Sequence, residues 1–591
     1  MSASEEYARR IDARRQRVAQ YEQIHIRLGN VRLVLALLFV VMAWASFRAG
    51  YFSPWWLGAP VAAFVGVAAY HSRVLRAREL AQRAVSFYER GVARVEDRWA
   101  GTGETGERFN DLHHVYAADL DLFGEGSLFE LLSTARTRMG EETLAKWLLA
   151  PALLPAIRER HAAIAELRDQ LDLREELAVL GGDVGVGVHP DALGAWAESA
   201  NQMRALWIGK LAPWLAAAAV AGAIVWAAWN MATPFVLVVV MEAILTWRLR
   251  HALDEVLHGT EHAFRDLDLL SGVLARVEHH RFEAPRLLEL QQQLLSGTVP
   301  ASQAIARLRS LVDLINSRHN VMVRIIDAPL MYSVQVAFAA ERWRALFGKS
   351  VRSWIAVMGE IEALLSLASY AFEHPPDPFP DFAEGGTALL DGRKLGHPLL
   401  AEATCIRNDV SICEPTRVLL VSGSNMSGKS TLLRAVGINV VLAMAGAPVR
   451  AERLRLSNLQ VGASVRINDS LREGSSRFYA EITRLRKILE LAGGHPPLIF
   501  LLDELLQGTN SNDRRVGAEG IVRALVNRGA IGLVSTHDLA LTDIGGGASL
   551  RNVHFQDELE DGKMSFDYTL REGVVTKSNG LALMRSIGLE V

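Results

Sequence analysis

A chain of 591 residues exceeds what one hydrophobic core supports, so several globular units are expected, and 22% charged with 50% hydrophobic residues exclude a disordered polymer. The formal net charge of -3 excludes an all-over basic field of the kind that gathers nucleic acid, so any such contact must come from a local patch. Two cysteines, Cys405 and Cys413, offer neither a disulfide framework nor a metal site and fit a reducing cytoplasm.

Along the chain, the first apolar runs are Leu33 to Ser46 and Ser53 to Tyr70, separated by a short turn carrying Arg48. They predict a helical hairpin crossing a bilayer. A second pair, Leu211 to Trp229 and Thr233 to Trp247, turns around Asn230 and Met231 and predicts a second hairpin, four crossings in all. Glu242 lies inside the fourth run and is read as facing a neighbouring helix or lying near the segment's end.

Arg9, Arg10, Arg14, Arg15 and Arg17 precede the first crossing, Arg73, Arg76, Arg78 and Arg83 follow the second, and Arg248 and Arg250 follow the fourth. Basic flanks stay on the cytoplasmic side, so both termini are expected there, on the inner face of a multi-pass membrane protein. Trp55, Trp56, Trp207, Trp214, Trp229 and Trp247 sit near segment ends, where an amphipathic ring suits the headgroup level. About thirty polar residues precede the first apolar run, which is not the layout of a signal peptide.

The third region of interest begins with the strand-like run Arg417 to Ser422, which leads into Gly423, Ser424, Asn425, Met426, Ser427, Gly428, Lys429, Ser430 and Thr431 and then a helical stretch. This strand, glycine turn and helix have the Walker A layout. Backbone amides curl round phosphates at a helix N-terminus, Lys429 supplies a charge to the β and γ phosphates, and Ser430 ligates Mg²⁺. Downstream, the apolar run Leu498 to Leu502 ends in Asp503, a Walker B carboxylate for the metal, and Glu504, which orients or deprotonates the attacking water. A third strand, Ala530 to Ser535, ends at Thr536 and His537, a candidate γ-phosphate sensor on the same sheet edge. Between these motifs, Asp469 to Glu481 forms a polar Gly and Ser turn opening a helix, suited to an anion; in ABC-type ATPases such a segment reaches the other subunit's nucleotide.

The string GSNMSGKSTLLR, with DSLREGSSRFYAE, DELLQGTNSNDRR, STHDLALT and the closing LRNVHFQDE and KSNGLALMRSIGL, resembles the ATPase domain of the MutS family of DNA mismatch-repair proteins in order and spacing. Leu120 to Leu167 resembles the start of the MutS core and lever domain, and the proline-rich His374 to Pro380 separates these helices from the ATPase. The resemblance implies ATP and Mg²⁺ as ligands, a homodimer in which Ser476 of one subunit completes the site of the other, and DNA, mismatched or branched, as the inherited partner.

It also implies departures. No counterpart of the mismatch-reading and connector domains precedes Leu120, the closing helices that help MutS dimerise are not expected after Leu589, and Cys405 stands where the family often stacks an aromatic on adenine. The fragment Ser86-Phe87-Tyr88-Glu89 is similar to the Phe-x-Glu wedge that MutS inserts into DNA, but its polar, helix-like context predicts an ordinary amphipathic helix.

The expected fold class is multidomain: four transmembrane helices in two hairpins, an all-α MutS-type core and lever, and a C-terminal α/β P-loop domain. Its boundaries are an N-terminal arm (1–30), hairpin 1 (31–70), a helical linker with the first part of the core (71–206), hairpin 2 (207–247), lever helices (248–373), a Pro-rich linker (374–385) and the ATPase domain (386–591). The expected function is a membrane-anchored ATPase coupled to DNA. The alternative is a membrane signalling or scaffolding ATPase that no longer touches DNA, whereas two split hairpins argue against an ABC transporter half.

Overall fold

The computed structural model describes residues 2–575 apart from 201–202, 204–205, 319–325, 328, 425, 466–476, 538–548 and 561–562. These residues form two compact units, one made of 1–134, 143–171 and 364–591, the other of 135–142 and 172–363.

The first unit opens on two long antiparallel helices, Ala3–Phe47 and Gly58–Val95. Ser2 and Glu5 start the first with a reciprocal capping box, each side chain accepting the other's backbone N–H. Near its start the pair has a dry seam built of Tyr7, Phe87 and Tyr88, all buried, with Arg94 paired to Glu373. Phe87 and Tyr88 therefore pack inside an ordinary helix, as their context predicted. Further along, the same helices expose their apolar side chains, Leu33 at 63% and Val65 at 60% among them.

Beginning inside the expected linker, a four-stranded sheet in the order β3 (Asp381–Phe382), β7 (Arg453–Leu456), β4 (Leu390–Leu395), β5 (Asn408–Ile412) accompanies a six-stranded one. The latter runs β12 (Lys563–Glu572), β11 (Leu550–Glu560), β6 (Val418–Ser422), β10 (Ile531–Thr536), β9 (Leu498–Asp503), β8 (Gln460–Ser464), all parallel except β12. Strands β6, β9 and β10 read as unbroken apolar runs because helices cover both faces. One covering helix, Lys429–Ala445, is buried almost throughout. At its centre, a Cβ on Gly437 would lie 2.6 Å from both Leu120 and Leu501, so the glycine permits that approach.

The second unit is helical. Leu206–Trp229 and Thr233–His279 form an antiparallel hairpin whose turn is made by Asn230 in the left-handed region, and Trp226 stacks on Phe235 at 5.7 Å. Its lower half packs Ile208, Leu215, Leu253 and Leu257 against Val312 and Ile315 of Ala301–Ser317 and Val334 of Tyr332–Glu373. A two-stranded ribbon, β1 (Leu295–Ser296) with β2 (Val299–Pro300), leads into Ala301–Ser317. The outer half of the hairpin exposes Ile224 at 61% and Leu237 at 67%, whereas Glu242 is fully buried, as a residue facing a neighbouring helix must be.

The expectation of four crossings is corrected by length and composition. Among the described residues, three helices are long and apolar enough to cross a membrane: Ala3–Phe47, Trp207–Trp229 and Tyr332–Glu373. In the helices Gly58–Val95 and Thr233–His279 the apolar run is cut short by His71 and Arg73 and by Arg248, with Glu242 inside the latter. The third qualifying helix was not foreseen; 78% of its apolar window is buried within the protein, which makes it a core helix by environment. The coarser expectation holds, a helical N-terminal region followed by mixed sheets in a multidomain α/β chain.

Candidate functional site

Parallel strands put their carboxyl ends on one edge of a sheet, and the loops leaving that edge carry function in such folds. Here register decides which residues meet. Thr536 of β10 lies opposite Ser422 of β6, and Ser535 opposite Asp503 of β9, so the turns beginning at Gly423, Glu504 and His537 emerge side by side.

The first turn folds over the start of the helix Lys429–Ala445. Gly423 and Gly428 take positive φ of 153° and 105°, and Met426, at φ 68°, projects outward with 86% of its surface exposed. At Gly423 a Cβ would come within 2.8 Å of Ser427 Oγ and 3.1 Å of Phe555 O, so a larger residue would have to displace the cradle. Lys429 is 4% exposed; its ammonium donates to the carbonyls of Gly423 at 2.9 Å and Ser424 at 2.8 Å. Burial lowers its pKa, opposed by the nearby Glu504 and Asp503 carboxylates. The hydroxyl oxygens of Ser424 and Ser427 are buried without a hydrogen-bond partner, as in a cradle shaped for an oxygen-rich ligand.

Across the edge, Asp503 accepts the Ser535 hydroxyl, and the Glu504 N–H is held by Ser535 at 3.2 Å to its carbonyl and 3.1 Å to its hydroxyl. Glu504 sits at φ +48° and Leu506 at +56°, a bend that non-glycine residues adopt only when their surroundings enforce it. The bend aims the Glu504 carboxylate at 3.3 Å from His537 Nδ1 and 3.8 Å from Lys429 Nζ, while Gln507 donates to its other oxygen.

Met426, Gly428, Lys429, Ser430, Thr431, Asp503 and Glu504 line one cavity of about 570 Å³. Gly423 and Ser424 hold the Lys429 ammonium and His537 faces Glu504, so these expected site residues lie beside lining residues; Asn425 and Ser476 lie outside the described residues, as does the segment from Lys577. The far wall is apolar, with Leu395, Leu400, Cys405 and Ile406. His397, Tyr568 and Glu481 also line the cavity and were missed as site residues from the sequence. Tyr568, at φ +51°, brings its ring 3.2 Å from where a Cβ on Gly428 would stand, a contact made across 140 residues of chain that leaves no local signal.

A positively charged, amide-rich cradle beside two carboxylates and opposite an apolar slot can hold a phosphate chain at one end and a flat ring at the other. The family comparison agrees with this layout. A model described as MutS domain V matches residues 419–590, and one described as MutS domain III matches residues 114–185. Two stretches of the chain are thus similar to domains of the MutS family. The chain is 35% identical over 195 residues to the Endonuclease MutS2 of Thermus thermophilus, covering 33% of this chain and 25% of that protein. It is 32% identical over 261 residues to the DNA mismatch repair protein MutS 2 of Halobacterium salinarum, covering 43% and 28%, and 30% identical over 238 residues to the DNA mismatch repair protein MutS of a Geobacillus species, covering 39% and 27%. It thus spans about a quarter of the length of these curated relatives. Domain V takes in the glycine turn, Asp503, Glu504 and His537, and domain III takes in the stretch from Leu120 to Leu167.

Proposed function

We propose that the chain is an ATPase of P-loop type, binding ATP with Mg²⁺ in the cavity at the carboxyl edge of the six-stranded sheet. The observation that carries the reading is the convergence of Lys429, Asp503, Glu504 and His537 beside a glycine turn that opens a helix. The turn's amides and Lys429 hold the phosphates, with Ser430 and Asp503 at the metal position. Mg²⁺, when bound, supplies positive charge beside the β and γ oxygens. Glu504 accepts a proton from the attacking water, and His537, within reach of the same carboxylate, orients it. Ile406 and Tyr568 flank the slot for the base, which supplies an aromatic although Cys405 does not.

The relatives' names attach them to DNA mismatch repair, and we carry DNA, mismatched or branched, to this chain as its proposed partner. The MutS type of site also supports a homodimer in which Ser476 of one copy completes the cavity of the other. The apolar side chains turned outward on Ala3–Phe47 and Leu206–Trp229 support anchoring in the inner membrane.

The deciding experiment is ATP hydrolysis by the purified full chain in detergent, alone and with duplex, mismatched or branched DNA at several salt concentrations. Lys429→Ala is expected to lose nucleotide binding, and Glu504→Gln to keep binding while turnover falls by roughly 100-fold or more. Unchanged turnover in Glu504→Gln would remove Glu504 from the reaction. Absence of DNA binding even at low salt would refute the DNA coupling and leave the membrane signalling reading, because phosphate contacts are strongest there.

A further inference from the structure

Strand β8 ends the six-stranded sheet, so its outer N–H groups need partners. The first residues of domain III supply them: Val115 O accepts from Ala463 N at 2.8 Å, and Asp119 Oδ1 accepts from Val465 N at 2.7 Å. Val465 lines the cavity, and Asp119, 1% exposed, lies behind it.

The second Asp119 oxygen receives Arg484, on the helix Arg477–Leu491. The same guanidinium donates to Leu112 O at 2.8 Å, and one turn further Lys487 reaches His113 O at 3.3 Å. Three residues before Arg484, on the same side of the helix, Glu481 is 3% exposed and accepts the Leu506 N–H at 2.6 Å. That N–H belongs to the left-handed bend that presents Glu504, and a strained bend persists only while its surroundings hold it. Beside Asp119, Asp121 reaches Arg434 at 3.5 Å on the helix that begins with Lys429. Residues 112–121 therefore bear on the Lys429 helix and on the helix that fixes the Glu504 bend.

We propose that Asp119 is a positioning residue for hydrolysis: by fixing Val465 and Arg484 it sets the helix Arg477–Leu491, and through Glu481 it sets the bend that carries Glu504. The proposal rests on the ATPase reading of the cavity. It makes the entry to domain III part of the device that aligns the attacking water, without Asp119 touching nucleotide.

The test uses the full chain in detergent, with ATP turnover and the affinity for a fluorescent ATP analogue measured on wild type, Asp119→Asn, Arg484→Met and Glu504→Gln. Asp119→Asn keeps an acceptor for Val465 and removes the charge facing Arg484. Arg484→Met keeps the helix and the bulk, and it decides the matter should Asp119→Asn melt early. Both variants are expected to lower kcat about tenfold, equivalent to about 1.4 kcal/mol in the barrier, with KM and analogue affinity within about threefold of wild type. A kcat within twofold of wild type, or equal losses in kcat and affinity, overturns the positioning role and leaves the site reading intact. Wild-type turnover that Glu504→Gln does not lower sinks the site reading itself, and the proposal with it.

Discussion

Acidification should destabilise the cavity wall through His397, and the size of the effect follows from its surroundings. His397 is 8% exposed, and its Nδ1 accepts the Leu399 N–H at 3.2 Å, which fixes a neutral ring with its proton on Nε2. Burial pushes its pKa down to about 4, and the Arg434 charge adds to the push. In the unfolded chain the ring titrates near 6.5. As pH falls below 6.5 the unfolded state takes up the proton and the folded state does not, so stability is full above pH 6.5 and is lost progressively until about pH 4. The shift of roughly 2.5 units is worth about 3 kcal/mol at its limit, of which about 2 kcal/mol is lost by pH 5.

His397→Asn isolates the term, because the amide oxygen still accepts from Leu399 and does not titrate. Denaturant midpoints of the transition that includes this cavity, followed for both proteins from pH 7.5 to 4.5, should converge as pH falls, with the variant gaining relative to wild type by about 2 kcal/mol at pH 5. His161, also held down to about 4 by burial, titrates in both proteins and cancels in the comparison. A difference between the two proteins that is the same at pH 7.5 and pH 5 would refute the reasoning.

Two further outcomes are expected. Tyr568→Ala should weaken ATP by about tenfold or more, the worth of a base on an aromatic ring, while inorganic triphosphate binds as before; equal losses for both ligands would place Tyr568 with the phosphates instead. The wild-type chain should stay with membranes after alkaline carbonate extraction, and the pair Leu37→Lys and Ile224→Lys, each charge costing about 2.5–3.5 kcal/mol at a bilayer centre, should lower that fraction. Recovery of the wild type in the soluble fraction without detergent would refute anchoring.

What could be read from the sequence was what the chemistry keeps contiguous. A phosphate cradle needs its strand, glycines, lysine and helix in one stretch, so Gly423 to Thr431 named itself, and Asp503 and His537 followed because each closes an apolar strand. Partners set by tertiary packing left no such trace. Tyr568, His397 and Asp119 reach their places across long separations, and nothing in their neighbours' types foretells it. Apolar runs told where side chains avoid water and not what covers them. The run in Tyr332–Glu373 is covered by protein, the one in Ala3–Phe47 is bare, and hydropathy treats the two alike.

The lower end of the first hairpin bears on what anchoring would do. Arg94 gives Glu373 two hydrogen bonds, at 2.7 and 2.6 Å, and Tyr7 adds a third at 3.1 Å, all in a buried seam. Breaking such a pair from one side strands a charge and costs several kcal/mol, so the two hairpin helices and the last turn of Tyr332–Glu373 hold together. That turn leads straight into the linker, where Asp377 receives Tyr370 at 3.3 Å and Arg450 at 3.4 Å. Arg450 in turn donates its N–H to Asn439, whose amide holds Gly396 beside His397 at the cavity wall. A hairpin anchored in lipid would thus be tied, by buried polar contacts rather than by a slack tether, to the His397 side of the cavity.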